Sequence, residues 1–156
     1  MYSRLEKFLN RRGSDIEIER TFREILEIAF QIVNEKFEKG EKFNLGDIDQ
    51  LLALRAMYEY MMELWAGREW EEAKEVGFDL AYLTDDKPLR EMFSLMVIGI
   101  LAQIPLEKFM REYLITDTEP YLGYFFTQFT PKIDPLIEKY RERFQREFSE
   151  GASSDS

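Results

Sequence analysis

The feature that most constrains the fold is a short run, residues 92–106, without a charged side chain in a chain where 33% of residues are charged. It reads MFSLMVIGILAQIPL. A membrane-spanning helix needs about 20 apolar residues, so this run is too short to cross a bilayer. Its apolar residues fall on every side of a helical projection, which is typical of a helix covered all round by protein. We therefore predict a central buried helix over about residues 88–104.

The segments on either side of this run are amphipathic with helical spacing. Residues 2–12 predict a short helix, and Ser14 with Glu17 has the spacing of a capping box that begins a long helix ending before Gly40. Asn44 is predicted to cap the next helix and Gly67 to end it. The short break at Gly67 indicates an antiparallel helical hairpin.

The second half of the chain is divided by prolines. Pro105 is expected to open a short helix, Pro120 a helix over the aromatic stretch YLGYFFTQF, and Pro135 the last helix. Together the patterns predict an all-α fold, an irregular bundle of seven or eight helices around residues 88–104, with a stack of helical hairpins as the alternative. We expect one domain over residues 1–148 and a disordered polar tail, SEGASSDS, over residues 149–156.

The chain contains neither cysteine nor histidine. This excludes disulfides, thiolate nucleophiles and Cys-ligated metals, and it removes the usual general base and the commonest metal ligand. An enzyme built from this chain would have to use carboxylates, Lys, Tyr or a bound metal, so a non-enzymatic function is favoured.

The net charge of −10 argues against direct binding of nucleic acid, because phosphate binding depends on clustered Lys and Arg. The one local basic cluster, Lys7, Arg11 and Arg12, is interpreted as a solvated helix end. No signal-peptide pattern or membrane span is found, so a cytoplasmic location is expected. The many Glu, Lys and Arg residues without Cys would also suit a thermophilic protein.

Acidic side chains on two successive predicted helices are the sharpest candidate for chemistry. They share helix faces at spacings of three and four residues, and in a hairpin they could meet and bind one or two Mg²⁺ ions for phosphohydrolysis. The alternative is a plain solvated surface. The residues concerned are Glu59, Glu63, Glu72, Glu75 and Asp79.

The Glu72-x-x-Glu75 pair resembles one metal-binding pair of the all-helical MazG-type nucleoside triphosphate pyrophosphohydrolases. The resemblance covers about residues 55–80 and implies Mg²⁺-dependent nucleotide hydrolysis. Glu59 and Glu63 depart from the family spacing, and the expected Glu-x-x-Asp pair is missing, since Asp79 lies four residues after Glu75. We therefore do not assign the chain to this family.

Arg55 lies among apolar residues of the same predicted helix as Glu59. It is a candidate for binding an anionic ligand, but its four-residue spacing from Glu59 favours a structural ion pair.

A dense aromatic group provides the strongest functional indication. Its members cannot all face the core of one helix, so some should be exposed, and exposed aromatic clusters are favoured at protein interfaces. Our leading prediction is a non-enzymatic helical module that binds a protein partner or itself through this group and the start of the last helix, without a cofactor. A third option is an acidic regulator that imitates nucleic acid. The predicted interface residues are Tyr121, Tyr124, Phe125, Phe126 and Phe129.

Overall fold

The computed structural model describes the backbone of residues 15–154 and the side chains of residues 21–150. Within this range the fold is all-helical, as predicted, and contains no strand. The described residues contain six helices: α1 (Asp15–Lys39), α2 (Ile48–Ala66), α3 (Trp70–Leu83), α4 (Lys87–Leu101), α5 (Leu106–Glu112) and α6 (Ile133–Ser154).

The predicted count of seven or eight helices differs from these six for two reasons. The helix expected over residues 2–12, its basic cluster and the cap at Ser14 lie outside the described residues. The helix expected from Pro120 over the aromatic stretch is wrong, because residues 113–132 form turns and two isolated β-bridges.

The contacts of the chain divide it into two compact units, Met1–Tyr60 and Met61–Ser156, and the boundary falls within α2. The single domain over residues 1–148 stays a prediction. Helix α6 continues to Ser154, so part of the predicted tail has a helical backbone. None of the helices in the described part of the chain is both long enough and apolar enough to cross a membrane.

In the first unit, α1 buries one face and ends as the sequence indicates. Ile25, Leu26, Ala29 and Val33 are buried at helical spacing. Gly40 follows with φ of +66°, and its N–H donates to the carbonyl of Phe37, while the next N–H donates to Lys36. This is a Schellman motif, which a glycine adopts without strain.

The N-terminus of α2 is capped by Asp47 and not by Asn44. Asp47 Oδ1 accepts from the N–H of Asp49 at 3.0 Å, and Gln50 Nε2 donates to Asp47 Oδ2 at 3.0 Å. The bond from Gln50 lowers the pKa of Asp47 despite an opposing effect of burial. Asn44 is used in the loop, where its Oδ1 accepts from the N–H of Gly46. Asn and Asp are both favoured as helix caps, and Asp47 is the residue directly before the first residue of α2, Ile48.

In the second unit, α4 packs against α3 and α6. All residues from Met96 to Leu101 are buried, as are Leu89, Met92 and Phe93. Asp86 caps α4 by accepting from the N–H of Leu89, and Pro88 occupies the first turn, where its missing N–H has no helical partner to lose. The same reasoning corrects the start of α6: it begins at Ile133, so Pro135 lies within the first turn.

Candidate functional site

The aromatic segment, residues 121–129, runs beside the stretch that follows α5. Leu114 and Phe129 form an antiparallel bridge, and the N–H of Ile115 donates to the carbonyl of Gln128 at 2.9 Å. Thr130 adds a side-chain bond from Oγ1 to the carbonyl of Glu112 at 2.7 Å. Aromatic residues favour such extended pairing, and the partner stretch at 114–115 supplies it. These contacts fix the segment to the second unit.

Two members of the segment pack against buried phenylalanines of the core. Phe125 is completely buried, and its ring lies 6.5 Å from that of Phe93 on α4 in an edge-to-face arrangement. Phe129 packs edge-to-face on Phe109 of α5 at 6.1 Å. Of the predicted interface residues, Phe125 is therefore part of the hydrophobic core, and its truncation is expected to destabilise the fold.

The segment turns sharply at Leu122 and Gly123. Tyr121 and Phe125 form an antiparallel bridge across the turn, and the N–H of Tyr124 donates to the carbonyl of Tyr121 at 3.2 Å. Leu122 has φ of 55° and Gly123 has φ of 82°. Two successive positive φ angles are the mark of a type I′ turn, which usually contains Asn, Asp or Gly. A leucine at the first of these positions is unusual.

Leu122 is also exposed. Its side chain is 42% accessible, which makes it one of three exposed large hydrophobic residues in the described part of the chain, with Phe30 and Ile48. Tyr124 and Phe126 on the same segment are half-buried. The turn therefore displays a leucine, and two partly accessible aromatic residues follow it in the segment.

Tyr121 fastens the turn to the start of α4. Its hydroxyl donates to Asp86 Oδ1 at 2.9 Å, and this bond to a carboxylate raises the pKa of Tyr121. Since Asp86 Oδ2 accepts from the N–H of Leu89, one carboxylate joins the turn and the first turn of α4.

An open groove of about 490 Å³ lies along the first half of α4, next to Asp86 in sequence. Its apolar lining residues, Leu95 and Ile137 of α6, are half-buried, and its four charged lining residues, here called the rim, are exposed. The lining residues are Asp85, Lys87, Arg90, Glu91, Ser94, Leu95 and Ile137.

The structure does not gather the acidic candidates into a metal site. Among the residues with described side chains, no group of three or more acidic residues is placed to hold a metal ion. Glu63, Glu72 and Glu75 are exposed, and Asp79 is half-buried.

Arg55 forms the ion pair that its spacing predicts. Its Nε donates to Glu59 Oε1 at 3.2 Å, with the two side chains 25% and 42% exposed. Glu59, the first of the predicted metal ligands, is thus already engaged in an ion pair. The anion site at Arg55 stays a prediction.

Sequence reasoning missed Leu122 and the groove. The Leu-Gly pair in an aromatic stretch was the available signal for a turn, because glycine is costly within a helix and favours positive φ. The groove has no local signal, since Leu95 and Ile137 come from helices far apart in the chain. Comparison with known proteins identifies no relative: no protein-family model, curated protein or solved structure matches the chain.

Proposed function

We propose that the protein is a non-enzymatic helical module that binds another protein molecule through the turn at Leu122 and the start of α6. The observation that carries the proposal is the exposure of Leu122 in a left-handed backbone conformation. The magnesium-dependent hydrolase and the nucleic-acid mimic stay predictions from sequence.

The backbone conformation of Leu122 lowers the stability of the fold, and the exposed leucine side chain makes up for little of this loss. A left-handed conformation costs a residue with a side chain about 1–2 kcal/mol, and glycine would avoid this cost. The leucine side chain recovers little of it, since 42% of its surface stays in water. Strained residues persist chiefly where function requires them, and an exposed apolar side chain is suited to a protein contact.

The turn is held in place before any partner arrives. The Tyr121–Asp86 hydrogen bond fixes one side of it and the burial of Phe125 fixes the other. A fixed contact surface loses less conformational entropy on binding than a mobile loop does. Tyr124 and Phe126, both half-buried, would provide aromatic contact area around Leu122, and tyrosine is enriched at binding hot spots.

Site-specific photo-crosslinking tests the proposal. A photoreactive amino acid at position 122 should give a discrete crosslinked protein adduct, either in the purified protein or in extract of the source cells. The same group at Glu72, an exposed residue of α3 outside the turn and the start of α6, is the control and should give none. Absence of a position-122 adduct in both preparations would remove the basis of the proposal.

A pair of glycine substitutions separates binding from stability. Leu122→Gly should relieve the backbone strain and stabilise the fold by about 1 kcal/mol, while weakening association. Arg68 is the matched control, because it is exposed and has φ of 60°. Arg68→Gly should also stabilise the fold but leave association unchanged. If Leu122→Gly associates as well as the native protein, Leu122 does not mediate the contact.

A further inference from the structure

The rim of the groove along α4 carries four charged side chains that form no ion pair within the described part of the chain. Asp85, Lys87, Arg90 and Glu91 are all exposed, and none forms an ion pair with any residue whose side chain the structure describes. Lys87 and Glu91 have the four-residue spacing of a helix ion pair but do not make one.

The rim is electrically balanced although the chain is strongly acidic. Two basic and two acidic side chains line the groove, whereas the chain as a whole has a net charge of −10. Two copies of such a chain repel each other over most of their surfaces. At the rim this net repulsion is absent, and opposite charges are available on both molecules.

From this we infer that the partner is a second copy of the chain, an inference that rests on the proposed function. Leu122 of each copy lies on Leu95 and Ile137 in the groove of the other, and the basic rim residues of one copy pair with the acidic rim residues of the other. A two-fold axis makes both halves of this contact identical, because each copy offers the same leucine and the same groove.

The turn at Leu122 is connected to the part of the chain that lines the groove. Tyr121, next to Leu122, binds Asp86, and Asp86 lies between the rim residues Asp85 and Lys87 in the chain. The turn that carries Leu122 is thus tied to the helix start whose neighbouring residues line the groove. A two-fold contact centred there uses both at once.

Charge reversal of the rim tests the inference without assuming which cation meets which anion. One variant, Lys87→Glu/Arg90→Glu, makes the rim wholly acidic, and the other, Asp85→Lys/Glu91→Lys, makes it wholly basic. Sedimentation equilibrium of the full chain should show a native dimer. Each variant alone should associate at least about tenfold more weakly, and their equimolar mixture should recover the dimer. Leu122→Asp should be monomeric.

Three results would overturn the inference: a native protein that stays monomeric, a dimer insensitive to both rim variants, or a mixture that fails to recover association. Circular dichroism verifies that each variant is folded. The proposed function can stand when this inference fails. A crosslinked adduct at position 122 that forms in cell extract and not in the purified protein would support a different protein partner while excluding self-association.

Discussion

Lys74 of α3 and Glu147 of α6 form an ion pair in which Nζ lies 2.7 Å from Oε1. The two side chains are only 13% and 20% exposed, and Arg143 donates to the other carboxylate oxygen of Glu147 at 2.7 Å. Lys74 also pairs with Glu71 of its own helix at 3.0 Å. Partly buried pairs of this kind are screened less than surface pairs and join two helices that are far apart in the chain.

We expect Glu147→Gln to destabilise the protein by about 1 kcal/mol at neutral pH. Burial alone would raise the pKa of Glu147, but the hydrogen bonds from Lys74 and Arg143 outweigh burial and lower it from 4.5. A lowered folded-state pKa means that this stabilisation is present above pH 4.5 and is lost as pH falls further. The difference between native and variant unfolding free energies, measured with denaturant, should therefore shrink in acid.

Glu138→Gln is the control for this measurement. Glu138 is exposed on the same helix and forms no ion pair with a residue of the described range. Its replacement should change stability little at any pH. A Glu147→Gln effect that is equal at neutral and acidic pH would contradict the assignment of the stabilisation to the charge of Glu147.

Tyr58 should make the protein lose stability at alkaline pH. Burial, with a smaller effect of the Glu59 charge, raises the pKa of Tyr58 from 10.0 to about 12. Its neutral form is favoured by folding, so the stabilisation is complete below pH 10 and is lost as pH rises toward 12. The shift corresponds to about 2–3 kcal/mol.

Tyr58→Phe provides the comparison. Unfolding free energies of native protein and variant should differ by a constant amount up to about pH 9, set by the lost hydroxyl, and then change in favour of the variant as pH rises. Ultraviolet absorbance of tyrosinate, followed in the same samples, reports the ionisation. Parallel stability curves throughout would show that Tyr58 ionises equally in the folded and unfolded chains.

Gly99→Ala should destabilise the second unit by up to about 2 kcal/mol. A Cβ at this position would lie 2.6 and 2.7 Å from two ring carbons of Phe109 and 3.2 Å from Trp65 Cζ2. The expected cost of overpacking, about 1–3 kcal/mol, exceeds the gain of about 1 kcal/mol in helix propensity. The ring of Phe109 cannot easily withdraw, because it is completely buried and packs on Trp65 at 4.8 Å.

Thermal unfolding of Gly99→Ala and Gly67→Ala would measure this effect. Gly67 is the matched control, because a Cβ there would meet its nearest atom at 3.5 Å, an ordinary contact distance. Its replacement should be close to neutral. Equal melting temperatures of the two variants would mean that the space beside Gly99 adapts without cost.

The ends of a helix could be predicted from the sequence where residues close to them in the chain determine them. The apolar spacing and Gly40 define α1, and Asp86 with Pro88 defines the start of α4. The end of α2 shows the limit of this reasoning: Gly67 was expected to end the helix, but the residue with positive φ is Arg68. Its N–H and the next one still make both bonds of a Schellman motif, to Trp65 and Leu64. Residues other than glycine can occupy the left-handed position of this cap at some cost in stability. A glycine in the sequence therefore predicts the end of a helix only to within about a residue.

The candidate site could not be predicted in the same way, since it depends on contacts between distant parts of the chain. Phe125 is buried beside Phe93 of α4, and Phe129, which is half-buried, packs on Phe109 of α5. Helical spacing within residues 121–129 carries no information about either neighbour. The aromatic composition did indicate that some side chains would be accessible, but the exposed residue at the turn is the aliphatic Leu122.

The carboxylate of Asp86 accepts one hydrogen bond from the Tyr121 hydroxyl and another from the backbone of α4. The position of the turn and the first turn of α4 therefore both depend on this one carboxylate. By thermodynamic reciprocity, if a molecule that orders Leu122 also suppresses fraying of α4 beside the groove, then a molecule that suppresses this fraying must order the leucine by the same free energy.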